Sequence, residues 1–222
     1  MTLKLVIGNK NYSSWSLRPW IAMKAADIPF EEEVVSLSDP DFKARVRRIS
    51  GTGKVPALAD GAVHVWESLA ILEYLAEKFP QKELWPREAS ARAAARALAA
   101  EMHAGFVPLR RQLPMNMWRP VKRRELSPET QANVARIDVI WTDCRKRYGG
   151  PFLFGAFGAV DAMYAPVVSR LDTYDVAVGA VAKSYMESVM ALPAWAEWRS
   201  AALKEPWVLA EDEVDWPTVL RV

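Results

Sequence analysis

Apolar positions along this chain change their period several times, and each change marks an element. Leu3, Leu5 and Ile7 alternate with period two, as in a strand, and Leu17, Trp20, Ile21 and Ala25 follow at helical spacing. The helix is expected to open near Trp15 or Ser16. That start would leave Pro19 in a first turn, where a missing N–H forfeits no bond. Asp27, Ile28 and Pro29 end it, and Phe30 to Val35 reads as a second strand. Strand, helix and strand in quick succession form a βαβ unit, whose strands should run parallel. Asp39 and Pro40 then open a short helix that runs to about Arg48 and stops at Gly51-Thr52-Gly53. Ala57 to Ala59 and Ala62 to Val65 flank Asp60-Gly61, the strongest local signal for a hairpin, with Pro56 at the start of its first strand. Leu69, Leu72, Leu75, Ala76 and Phe79 form a helical stripe that Pro80 halts.

Beyond Phe79 to Pro86, which is punctuated like a linker, the period stays helical. The division expected is therefore an α/β unit over residues 1–81 and an all-helical unit over residues 88–222. An alanine-rich helix from 88 to about 112 should be kinked by Pro108. Ser127, Pro128 and Glu129 open a second helix whose stripe Val134, Ile137, Trp141, Cys144 and Tyr148 places the cysteine in a core. Two further helices fit 179–190 and 193–204, and the last dozen residues read as an irregular tail.

Composition narrows the function classes. An apolar fraction of 51% over 222 residues supports a packed core. The net charge is +2, and the one basic run, Lys122-Arg123-Arg124 near Arg119, is too short for a nucleic-acid face, so no nucleic-acid partner is expected. A single cysteine rules out an intramolecular disulfide. No apolar run suits a signal peptide or a membrane span, which points to a cytoplasmic chain without a membrane partner. His103 lacks a second ligand at trusted spacing, so no metal site is expected.

The chemistry concentrates at Ser13 and Ser14. Two hydroxyls ahead of a helix N-terminus, at the positive end of its dipole, suit a cap or an anion such as a thiolate. Tyr12-Ser13-Ser14, then Lys54-Val55-Pro56-Ala57-Leu58, then Trp66-Glu67-Ser68-Leu69 together resemble the glutathione-binding, thioredoxin-like domain of the glutathione S-transferase superfamily, in its bacterial zeta-like serine type. No Cys-x-x-Cys occurs at the first loop, so dithiol chemistry is excluded. The resemblance implies an α/β thioredoxin-like domain followed by an all-α bundle, glutathione as co-substrate, and a homodimer. It further implies a cis Pro56, with Val55 holding the tripeptide through its main chain and Glu67 and Ser68 gripping the γ-glutamyl end. Ser68 at a helix start suits a carboxylate, Glu67 an ammonium, and Lys54 could reach the glycyl carboxylate. Aligned through Arg18 to Trp20, Ser13 takes the catalytic position, with Ser14 as its neighbour or substitute.

Further on, Gln112 to Trp118 resembles a zeta-like loop, and residues 152–162 resemble the segment that starts the family's central helix. There Gly158 stands where the family has a hydroxyl cap, so only the Asp161 half of a capping box remains. Trp15, Met102, His103, Phe106, Met115 and Trp118 are the candidate walls of a pocket for a small apolar electrophile, although Met102, His103 and Phe106 read first as plain core and the Met115–Trp118 loop equally suits packing on its own domain. The function implied is a glutathione transferase, a detoxifying type of activity. Isomerisation of the maleylacetoacetate type is the alternative, weakened by Trp15 where that class commonly has Cys. A non-catalytic transferase-like binding module is the third reading.

Overall fold

The computed structural model describes residues 2–222. Four strands form one mixed sheet in the order β2 (Phe30–Val34), β1 (Leu3–Ile7), β3 (Ala57–Asp60), β4 (Val63–Trp66). β1 and β2 run parallel, with Leu3 opposite Phe30, and the crossover between them is helix α1 (Ser14–Ala25). β3 is antiparallel to both β1 and β4, and Gly61 turns the hairpin at positive φ. Side chains alternate across β1. Leu3, Leu5 and Ile7 join the main core with α1 and α3 (Ser68–Lys78), while Val6 packs with Val35 and Val46 beneath the short helix α2 (Phe42–Val46). A central strand buried on both faces is what a parallel pair requires.

Every element after α3 is helical: α4 (Ala89–Ala104), α5 (Val107–Gln112), α6 (Pro128–Tyr148), α7 (Ala159–Thr173), α8 (Ala180–Met190) and α9 (Pro193–Ala202). α7 is buried from Ala159 through Leu171, the signature of a central helix covered on all sides. α1 packs against it, and the Arg18 guanidinium donates from Nε to the Met163 carbonyl at 3.1 Å. Asp161, fully buried, accepts from the backbone N–H of Leu153 at 3.0 Å and of Gly158 at 2.9 Å, so the acidic half of the cap is present without the hydroxyl half. Among the described residues no helix is long and apolar enough to cross a membrane.

Several boundaries differ from expectation. α1 starts at Ser14 with Ser13 as its N-cap, so Pro19 lies inside the helix rather than in its first turn, and the Trp15 carbonyl loses its helical donor. α2 begins at Phe42, because the Asp39 carboxylate accepts the Asp41 N–H at 2.8 Å and holds that stretch as a turn. The alanine-rich helix is two helices. Gly105 is extended and Phe106 is left-handed, at φ 57°, so Pro108 falls in the first turn of α5 instead of kinking a longer helix. Cys144 is buried, and that burial pushes its thiol pKa up to about 11.

The tail after α9 is irregular and tied down. Glu205 accepts the backbone N–H groups of Lys10 and Asn11 at 2.6 and 2.9 Å, Arg119 pairs with Asp215 at 2.8 Å, and the Val222 N–H reaches the Trp118 carbonyl at 2.8 Å. The Glu205 bonds clamp the chain after α9 over the loop that leaves β1, and the other two tie the tail to residues 118–119.

Candidate active site

The loop between β1 and α1 is fixed from several sides before any ligand enters. Ser16 Oγ accepts from the Gly8 N–H at 3.1 Å and from the Ser13 hydroxyl at 2.7 Å, so the Ser13 proton is directed into the helix start. Ser14 differs. Its Oγ accepts from Arg170 Nη2 at 3.2 Å, and no hydrogen bond among the described residues takes its own proton. Both serines are about nine-tenths covered, yet both line a cleft of about 390 Å³. Tyr12, Trp15, Leu37, Phe42, Lys54 and Val55 form the rest of that side; Arg110 of α5, Met115, Arg170 of α7 and Asp212 of the tail form the other.

Tyr12, next to the serines, is committed elsewhere. Its hydroxyl donates to Glu213 Oε1 at 2.7 Å, and burial together with that carboxylate raises its pKa well above the ordinary phenol value. Glu213 also accepts from Asn116 Nδ2 at 2.8 Å. Tyr12→Phe is expected to cost about 1 kcal/mol, the net worth of one hydrogen bond, because Asn116 still satisfies part of the carboxylate. A thermal midpoint lowered by roughly 2–4 °C in calorimetry is the measure, and an unchanged midpoint would remove the clamp between tail and loop.

The Val55–Pro56 peptide is cis, Pro56 is buried, and Lys54 is exposed beside the cleft. Glu67 caps α3 at φ 71°, and Ser68 is the first helical residue. The Ser68 hydroxyl is buried without a partner, while the Glu67 side chain is exposed. Glu67 Oε2 stands 4.0 Å from His103 Nε2, and the His103 ring meets Trp15 edge-on at 5.2 Å. Trp15 thus lies between the serine cleft and the start of α3. Burial chiefly, and the Arg18 charge next, lower the His103 pKa, so the imidazole is neutral at pH 7.

Of the residues expected to wall a co-substrate pocket, Trp15 and Met115 line the cleft. Met102 and Phe106 sit in the main core, and Trp118 packs with Tyr12 and Leu209 while its indole N–H reaches the Ala202 carbonyl at 2.9 Å. A loop rich in methionine and tryptophan folds inward because its polar groups are met there: Asn116 Oδ1 accepts the N–H groups of Trp118 and Arg119. His103 is on the Glu67 side of Trp15. The cleft wall, apolar over most of its surface, also carries charge. Arg110, Arg170, Lys54 and Asp212 stand in it, none of them distinguishable in sequence from surface charge except Lys54, which a motif contained. Burial pushes the Asp212 carboxyl up to about 6 and the Arg170 guanidinium down to about 10.

Two family models match this chain: the glutathione S-transferase N-terminal domain over residues 12–78, and the C-terminal domain over residues 89–201. A probable maleylacetoacetate isomerase of Caenorhabditis elegans is 38% identical over 98 residues, 44% of this chain and 45% of that protein. Mouse (Mus musculus) glutathione S-transferase theta-1 is 33% identical over 128 residues, 54% of this chain and 52% of that one. The chain therefore spans about half the length of these curated relatives. A solved glutathione transferase homologue from Burkholderia, with bound glutathione, superposes with a TM-score of 0.70 at 23% identity, over 91% of this chain and 98% of that one. Glutathione transferase Omega 3C of Trametes versicolor gives 0.69 at 20% identity, over 90% and 89%. These superpositions show a thioredoxin-like fold followed by a helical bundle. With both family models matched in chain order, the chain belongs to the glutathione S-transferase family.

Proposed function

We propose that this protein binds glutathione and transfers it, as the thiolate, to a small electrophile. One observation carries the reading: the Ser14 hydroxyl, held on its oxygen by Arg170 and with its proton unassigned, faces the cleft that Val55 also lines. A free thiol has a pKa of about 8.5, and a hydroxyl donating to sulfur lowers it, so more of the nucleophile is present at neutral pH. Ser13, whose proton goes to Ser16, positions the loop. In this reading residues 1–81 hold the tripeptide. The partnerless Ser68 hydroxyl at the start of α3 suits the γ-glutamyl carboxylate, Glu67 its ammonium, Val55 the peptide backbone and Lys54 the glycyl carboxylate. Residues 88–222 supply the far wall of the cleft.

A second reading is glutathione-dependent cis-trans isomerisation, supported by the relative named as a probable maleylacetoacetate isomerase. A panel of alkyl halides, activated alkenes and cis-dicarboxylates, each assayed with and without glutathione, separates the two. Transfer consumes one glutathione per product and yields a thioether by mass spectrometry. Isomerisation returns glutathione unchanged. Saturable glutathione binding without turnover of any compound would overturn both and leave a binding module.

A further inference from the structure

A histidine of the helical domain crosses to the start of α3. His103 lies in the last turn of α4, with its Nε2 4.0 Å from Glu67 Oε2 and its ring edge-on to Trp15 at 5.2 Å between centroids. Its Nδ1 is buried and has no hydrogen-bond partner. Among the described residues, no lysine or arginine lies within ion-pair distance of Glu67, and His103 is the group nearest to being its partner.

Three charged groups bear on the imidazole. Glu67 favours its protonation, while Arg18 of α1 and Arg110 of α5 oppose it, as does burial. The neutral ring carries a single N–H, on one nitrogen or the other. A buried N–H without an acceptor is a rarer and costlier defect than a buried lone pair, which assigns the proton to Nε2 and leaves Nδ1 as the bare nitrogen. That tautomer aims a donor at Glu67.

At 4.0 Å the pair is too long for a hydrogen bond, whose usual limit is about 3.2 Å. The Glu67 side chain is half exposed, so a shift of roughly 1 Å in its carboxylate closes the gap. A glutamate that grips a ligand loses rotamer freedom, and a donor on one of its oxygens restrains it beforehand. The neutrality of that donor matters. A lysine or an imidazolium in the same place would pair with the carboxylate and compete with an ammonium for it, whereas a neutral N–H orients the acid and leaves its charge intact.

We infer that His103 is a positioning residue for the amine end of glutathione: its Nε2–H holds Glu67 in the rotamer that receives the γ-glutamyl ammonium, so α4 helps to select peptides with a free γ-glutamyl amine. This rests on the glutathione reading of the cleft.

The test compares glutathione with glutaryl-cysteinylglycine, the same peptide without its amino group, by titration calorimetry at pH 7. The parent is expected to bind glutathione about 10-fold more tightly, the scale of one charged contact. His103→Phe, which keeps an aromatic edge toward Trp15, should cut that ratio about 5-fold by weakening glutathione alone. His103→Gln, whose amide N–H stands near the place of Nε2–H, should stay within about 2-fold of the parent. Glu67→Gln should abolish the preference, and adding His103→Phe to it should change nothing further, because the histidine acts through Glu67. His103→Leu carries the same expectation as His103→Phe should the latter fold poorly. Equal weakening of both peptides by His103→Phe overturns the proposal, since the ring would then only pack the cleft. So does a ratio that equals the parent's. If the parent binds neither peptide, the glutathione reading itself fails; if it binds both and the ratio ignores residue 103, only the role of His103 falls.

Discussion

Replacing Ser14 by alanine is expected to raise the pKa of bound glutathione by about one to two units and to cut conjugation at pH 7 by roughly 10- to 100-fold. A hydrogen bond to a charged group is worth about 1.5–3 kcal/mol, and each pKa unit corresponds to about 1.4 kcal/mol. The sign follows from what the hydroxyl stabilises. It donates to the thiolate and not to the thiol, so its loss favours the protonated form and moves titration upward. The rate deficit should accordingly shrink as pH rises through the new pKa, which a general loss of binding or folding would not reproduce. Thiolate absorbance against pH, measured beside the pH profile of kcat/KM, gives both quantities. Ser13→Ala is the necessary comparison. Its hydroxyl is engaged with Ser16 at 2.7 Å, so it should weaken the start of α1 and move the bound thiol's pKa less. A larger shift in Ser13→Ala than in Ser14→Ala would reverse the assignment of the two serines.

The proposed choice between the two serines rests on a contact that the sequence does not display. Local sequence presents Ser13 and Ser14 as two hydroxyls ahead of a helix, and alignment through Arg18 to Trp20 favours Ser13. What separates them is a side chain far along the chain: Arg170 holds one serine and not the other. The elements themselves were legible because each is written in a local pattern. Alternation marks β1, Asp60-Gly61 the hairpin, and Ser127-Pro128 the start of α6. Boundaries slipped where a side chain competes with the backbone, as Asp39 does before α2, or where two residues with unusual dihedrals break a run of alanines, as at Gly105 and Phe106. The far wall of the cleft was illegible for a different reason. Arg110, Arg170 and Asp212 come from a short helix, the central helix and the tail. No period or spacing joins them, and a charged residue in an apolar helix reads from sequence as a surface group until the packing shows it buried.

The tail adds a second lesson of the same kind. Glu205, Glu213 and Asp215 look like ordinary solvated acids, yet the first accepts two backbone N–H groups of the loop that leaves β1 and the second holds Tyr12. The loop carrying the serines is therefore kept in place by residues almost two hundred positions away, together with Trp198, whose indole N–H reaches the Lys10 carbonyl at 2.9 Å. Preorganising a hydroxyl for a developing charge requires such supports, because a donor that must first be oriented loses part of what it contributes.

The largest structural effect is expected at Asp161, remote from the cleft. Asp161→Ala should lower stability by roughly 3 kcal/mol, since the Leu153 and Gly158 N–H groups would lose a charged acceptor where water does not replace it. For a chain of this size that is about 6–12 °C in the thermal midpoint. Asp161→Asn keeps one acceptor oxygen but turns an NH2 toward the other N–H, so it should cost about half as much. The two variants also differ from the parent in pH dependence. Burial raises the Asp161 carboxyl from 3.8 to about 6 in the folded chain, despite the two N–H groups that oppose the shift. A folded acid with a raised pKa holds its proton more tightly than the unfolded one, so between about pH 4 and pH 6 its contribution to stability falls as pH rises, and it is level above that window. Asp212 shifts in the same direction and stays in every variant, so the relevant quantity is the difference between parent and Asp161→Asn. That difference should be largest at pH 4 and shrink by pH 7 as measured by chemical denaturation. A gap between parent and Asp161→Asn that stays constant from pH 4 to pH 7 would mean that Asp161 keeps an ordinary carboxylate pKa in the folded chain. The central helix would then owe its start to the two hydrogen bonds alone.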